Sequence, residues 1–119
     1  MQQEILKIYH NEIGIAFQWR KKATNFNPKL IQIVFRDMGF HLTKEEIICF
    51  AKLVNQCKTS IKCMDCPIQG NCRNILLETP ASKVSLAVNA TELDQVDDLM
   101  RGTLFQLEMD EYIREICKN

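Results

Sequence analysis

Four cysteines fall within sixteen residues of this chain, in the stretch CKTSIKCMDCPIQGNC, as Cys57, Cys63, Cys66 and Cys72 with the spacing C-x5-C-x2-C-x5-C. Ordering a loop of that length costs roughly 1–2 kcal/mol per residue in backbone entropy. Its apolar side chains, Ile61, Met64 and Ile68 with Pro67, return only about 1.5–3 kcal/mol apiece even when fully buried. A structural thiolate site adds on the order of 10–16 kcal/mol of apparent binding free energy to folding. The spacing therefore predicts a metal centre with these four cysteines as ligands. Two residues between Cys63 and Cys66 let both sulfurs face one centre, and Pro67 and Gly70 turn the chain back towards Cys72. The alternative is four reduced thiols packed as small hydrophobes, and a loop this polar offers them little to pack into.

Structural zinc usually takes its ligands as two C-x2-4-C or H-x3-5-H knuckles from separate parts of a fold. Here one knuckle is flanked on both sides by single cysteines in a continuous loop, an arrangement suited to wrapping an iron–sulfur cubane, which is also ligated by cysteine alone. Thiolates accept either metal, so a [4Fe–4S] cluster is the expectation and zinc the alternative. Over these four cysteines the loop resembles that of the endonuclease III and adenine glycosylase family of DNA-repair enzymes, whose first gap is one residue longer. The resemblance implies a [4Fe–4S] cluster. It does not extend to the repair activity, because Gly14, Gly39, Gly70 and Gly102 lie in no LPGVG-type turn. Over LLETPASKVSLAV and GTLFQLE the chain also resembles a family of small Bacteroidetes-type proteins, a likeness that brings no activity with it.

The remaining sequence reads as one α+β domain over residues 1–119 with the metal-binding loop at 57–72. Hydrophobic residues make up 46% of the chain and charged residues 25%, as in ordinary globular proteins. Lys and Arg balance Asp and Glu at a formal net charge of zero, which argues against dominant phosphate-backbone binding. The start, MQQEILKIYHNE, lacks the pattern of a secretory signal, and no apolar run approaches membrane-spanning length. Both point to a cytoplasmic protein with no membrane partner, where clustered cysteines read as metal or redox sites rather than disulfides. Cys49 and Cys117 fall in helical patterns and read as packing residues.

Residues 4–19 alternate as two strands joined near Asn11-Glu12, with Ile13, Ile15, Phe17 and Trp19 at period two. LIQIVFRDMGFHL reads as a hairpin turning at Asp37-Met38-Gly39, with Ile31, Ile33 and Phe35 on one face and His41 on the return strand. Thr43 to Glu46 forms a capping box, followed by a helical stripe of Ile47, Phe50, Ala51 and Val54 that Cys57 closes at the helix end. NILLET and KVSLAV read as two strands about a turn at Thr79 to Ser82. Asn89 and Glu92 cap a second helix with a stripe of Leu93, Val96, Met100 and Leu104. Gly102 is expected to end or kink it, leaving a third helix with Phe105, Met109, Tyr112, Ile113 and Ile116 on one side. The fold class is thus an antiparallel sheet of about four to six strands with about three helices.

No nucleophile elbow, phosphate loop, dinucleotide fingerprint or HExxH helix occurs. Glu92, Asp94, Asp97 and Asp98 read as a solvated helix face, and His10 and His41 as strand residues. The chain reads as a non-enzymatic binding or regulatory protein, open to a protein partner, with a structural four-cysteine centre. Two alternatives are a redox or iron-status sensor and a nucleic-acid-binding accessory protein. The last would use Arg20, Lys21 and Lys22 with Lys58, Lys62 and Arg73 as phosphate contacts, and Phe26 as a stacking surface.

Overall fold

The computed structural model describes residues 5–19, 30–62 and 75–117, with the side chains of Ile61, Lys62 and Cys117 left aside. Period-two alternation makes the first half a meander of four antiparallel strands in the order β1-β2-β3-β4: β1 Ile5–His10, β2 Gly14–Trp19, β3 Ile31–Phe35 and β4 Met38–Leu42. Ala16, Ile31, Ile33, Phe35, Phe40 and Leu42 face inwards and are buried. A register shift between Lys7 and Tyr9 lets both Leu6, opposite Gln18, and Tyr9, opposite Ala16, lie on that inner side. At Gly14 a Cβ would meet Val34 O and lie 2.7 Å from Phe35 Cβ, so glycine is what lets β2 and β3 approach there.

The β3–β4 turn is Arg36-Asp37, one residue earlier than the alternation suggests, and Met38 opens β4. Arg36 sits at φ 53°, the left-handed conformation that two-residue hairpin turns require and that disfavours a residue with a Cβ. Its side chain offsets this. Nη2 donates to Ala87 O at 3.0 Å, Nη1 lies 3.7 Å from Glu92, and the guanidinium rides 5.4 Å above the Phe35 ring.

The capping box opens α1, Lys44–Lys62, as expected: Thr43 N donates to Glu46 Oε1 at 2.9 Å and Glu46 N to Thr43 Oγ1 at 3.2 Å. Ile47, Phe50 and Val54 are fully buried, each contributing about 1.5–3 kcal/mol of transfer free energy. The helix continues five residues beyond Cys57. Cys49 is exposed rather than packed.

Among the described residues β5 Ile75–Glu78 and β6 Ser85–Val88 pair only with each other, so the strands form a four-stranded sheet and a separate hairpin instead of one sheet. Leu77, Leu86 and Val88 bury one side of this hairpin. Thr79 Oγ1 closes its turn, donating to Val84 O at 2.8 Å and accepting from Ala81 N at 3.1 Å.

The second capping box also forms, Glu92 N donating to Asn89 Oδ1 at 2.8 Å and Asn89 N to Glu92 Oε1 at 3.0 Å. It opens α2, which runs from Ala90 to Cys117 through Gly102 without a break. Two helices therefore stand among the described residues where the sequence suggested three. A mid-helix glycine costs roughly 1 kcal/mol, and the reason it is tolerated lies across the interface: a Cβ on Gly102 would overlap Cζ, Cε1 and Cε2 of Tyr9. The missing side chain is filled by a ring from β1.

Candidate metal centre

Of the four cysteines in the predicted centre, Cys57 lies within the described residues; Cys63, Cys66 and Cys72 lie outside them. The helical period of α1 places Cys57 one turn beyond Val54, where it is half-buried and packed against the core. Its surroundings favour the neutral thiol. Burial, and after it the negative charge of Glu78, pushes the Cys57 pKa upward. A cation bound at the sulfur would reverse that balance by stabilising the thiolate.

The neighbouring charges are already matched. Lys58 Nζ lies 3.0 Å from Asp97 Oδ2 and 3.3 Å from Asp94 Oδ1. The hydrogen bond to Asp97 is the largest cause of a raised Lys58 pKa, with partial burial opposing it and Asp94 adding to it. Asp97 also accepts from Arg101 Nε at 3.1 Å. Lys58, read from the sequence as a phosphate contact, thus has its charge balanced inside the chain. Of the other candidate phosphate contacts, Arg20, Lys21, Lys22 and Arg73, with Phe26, lie outside the described residues, as does the side chain of Lys62.

The acidic cluster is the solvated face expected of it only in part: Asp94 and Asp98 are exposed. Glu92 and Asp97 are buried, and Asp98 Oδ2 accepts from Tyr9 O–H at 2.8 Å and Asn11 Nδ2 at 2.9 Å. Asn11 also caps its own turn through Oδ1, which accepts from Ile13 N at 3.0 Å and Gly14 N at 3.2 Å. The carboxylates of α2 therefore fasten β1 and α1 to it. The partners are 39 to 89 residues away in the chain, and no local pattern marks such pairings.

A shallow open cleft of about 580 Å³ lies beside them, lined by Asn11, Glu12, Thr91, Asp94, Gln95 and Asp98. Gln95 Nε2 donates across it to Glu12 Oε1 at 2.9 Å. Its lining carries three carboxylates, Glu12, Asp94 and Asp98, with two amides and the Thr91 hydroxyl. Among the described residues there is no group of three or more His, Cys, Asp or Glu side chains placed to hold a metal ion. His41 pairs with the buried Gln32 through Nδ1, the satisfied strand histidine that its position suggests. No described helix is long and apolar enough to cross a membrane. Comparison of the chain with known protein families, with curated proteins and with solved structures returns no match.

Proposed function

We propose that this protein is a small, non-enzymatic binding or regulatory protein whose four-cysteine loop holds a metal centre, a [4Fe–4S] cluster in the first instance and zinc in the second. The observation that carries the reading is the C-x5-C-x2-C-x5-C spacing, and the seating of Cys57 against the core on α1 supports it. A soft thiolate donor fits either metal. With Lys58 committed to Asp97 and Asp94, it is the metal that must balance the thiolate charge at Cys57.

Cys57 precedes the last residue of α1 by about 7.5 Å along the helix axis, at 1.5 Å per residue. A centre that includes Cys57 requires the later cysteines to return alongside the helix, and its role is to staple α1 to the segment leading into β5. A three-cysteine centre, without Cys57, keeps a coordination position open for chemistry or exchange. The nucleic-acid reading receives no comparable support from Lys58.

The test is metal content and absorption of protein purified without oxygen. A brown sample with a broad band near ~400 nm and about four irons per chain identifies the cluster. A colourless one with about one zinc identifies the alternative. Protein that carries neither metal, and whose melting temperature a chelator leaves unchanged, refutes the proposal. Cys57→Ser then assigns the fourth ligand by whether metal content falls.

A further inference from the structure

The α2 line Asp98, Gly102, Phe105, Met109, Tyr112, Ile116 advances by alternating steps of four and three residues, the spacing of a helix seam. Tyr9 of β1 covers its first two positions. Beyond them the line is bare: Phe105, Met109, Tyr112 and Ile116, with Ile113 beside them, are between 39% and 62% exposed. Together they present an apolar stripe on the order of 500 Å², near the upper end of what a monomer leaves open. Its flank is acidic, with Glu108 and Glu115 beside it, while Glu111 farther round the helix is paired with Lys44 Nζ at 3.1 Å.

A second surface carries the opposite character. The registers place Ile5, Lys7 and His10 of β1, Ile15, Phe17 and Trp19 of β2, Val34 of β3, and Gly39 and His41 of β4 on the sheet face turned away from the helices, with the β2 residues half-buried and the others exposed. This face has an aromatic pair, Phe17 edge-on to Trp19 at 5.4 Å. It holds one lysine and two histidines and, among these residues, no carboxylate.

We infer that the exposed stripe of α2 docks on the outer sheet face of a second copy of this chain, reciprocally, so that two such contacts close a two-fold dimer. Stripe-to-stripe pairing would instead bring the Glu108 and Glu115 flanks of two copies together. Docking on the sheet sets those carboxylates beside Lys7 and buries apolar surface on both sides. Reciprocity makes the assembly finite and doubles a contact that singly falls short of the ~800 Å² per partner of standard interfaces.

Sedimentation velocity on the full chain from about 1 to 100 µM tests this, read together with the fluorescence of Trp19, the only tryptophan. A dimer is expected whose dissociation on dilution red-shifts Trp19 emission. Tyr112→Glu and Ile116→Glu, at exposed positions, should each weaken it by about tenfold or more while leaving helical circular dichroism intact. Lys7→Glu should also weaken it, and Glu108→Lys with Glu115→Lys in the same chain should restore it. A monomer at every concentration overturns the inference, and one whose Trp19 is quenched by a single-stranded oligonucleotide assigns the face to base stacking instead. A dimer indifferent to Lys7→Glu, with unshifted Trp19, overturns it in favour of helix-to-helix pairing.

Discussion

Replacing Gly102 by alanine separates helix propensity from tertiary fit. In an isolated helix the change is worth about 1 kcal/mol in favour of alanine. Here the new Cβ would stand 2.5 Å from Tyr9 Cε1 and closer still to its neighbours on the ring, whereas carbon atoms in contact prefer about 3.5–4.0 Å. The ring must recede by about 1 Å, and it is held on one side by β1 and at its tip by the hydrogen bond to Asp98. Overpacking of this kind costs about 1–3 kcal/mol, and losing the bond to a partly exposed carboxylate adds roughly 1 kcal/mol. The net expectation for Gly102→Ala is a loss of about 1–3 kcal/mol, measured by urea unfolding followed by circular dichroism at 222 nm. In a Tyr9→Ala background the same substitution should be stabilising by about 1 kcal/mol, because only propensity remains. A stabilising Gly102→Ala in the otherwise unchanged protein, or an equal effect in both backgrounds, would refute the account of why the helix passes through glycine.

Asn89→Ala removes the acceptor for Glu92 N and should cost about 1 kcal/mol, read as a lower urea midpoint at unchanged slope. The Tyr9 phenol has its pKa raised, chiefly by its hydrogen bond to Asp98 and then by burial. Because the folded protein holds this proton more tightly than the unfolded chain does, the stabilisation is complete below the unfolded value of about 10 and is lost as pH rises through the folded one. Unfolding free energy measured from pH 8 to 11 should therefore fall, and Tyr9→Phe should make that fall shallower; an unchanged slope in the variant would remove Tyr9 as its source.

What could be read from the sequence is what neighbouring residues decide among themselves. Both capping boxes formed as Thr43 to Glu46 and Asn89 to Glu92 suggested, because each is closed within four residues. The inward set Ile31, Ile33 and Phe35 followed from alternation alone. Gly102 was misjudged because the space beside it is filled by Tyr9, and the acidic face of α2 was read only in part, Asp94 and Asp98 being exposed, because Lys58, Asn11 and Tyr9 reach it from other elements. Cys49 shows the limit of composition: a small apolar residue in a helix pattern is packed only if the helix turns it inward, and α1 turns it out. For the metal centre, cysteine spacing supplied the expectation, and the fold adds the half-buried seat of Cys57.

The order in which the elements leave the ribosome follows from this architecture. β1 to β4 pair only with sequence neighbours and can assemble once residue 42 has emerged, yet Tyr9 finds its partner 89 residues later. At about 5–20 residues per second, translation to the end of α2 takes roughly 4–15 s more. Throughout that interval the nascent sheet must keep Ile31, Ile33 and Phe35 from other chains with, among the described elements, α1 and the β5–β6 hairpin to shield them, so the burden of safe synthesis falls on α2.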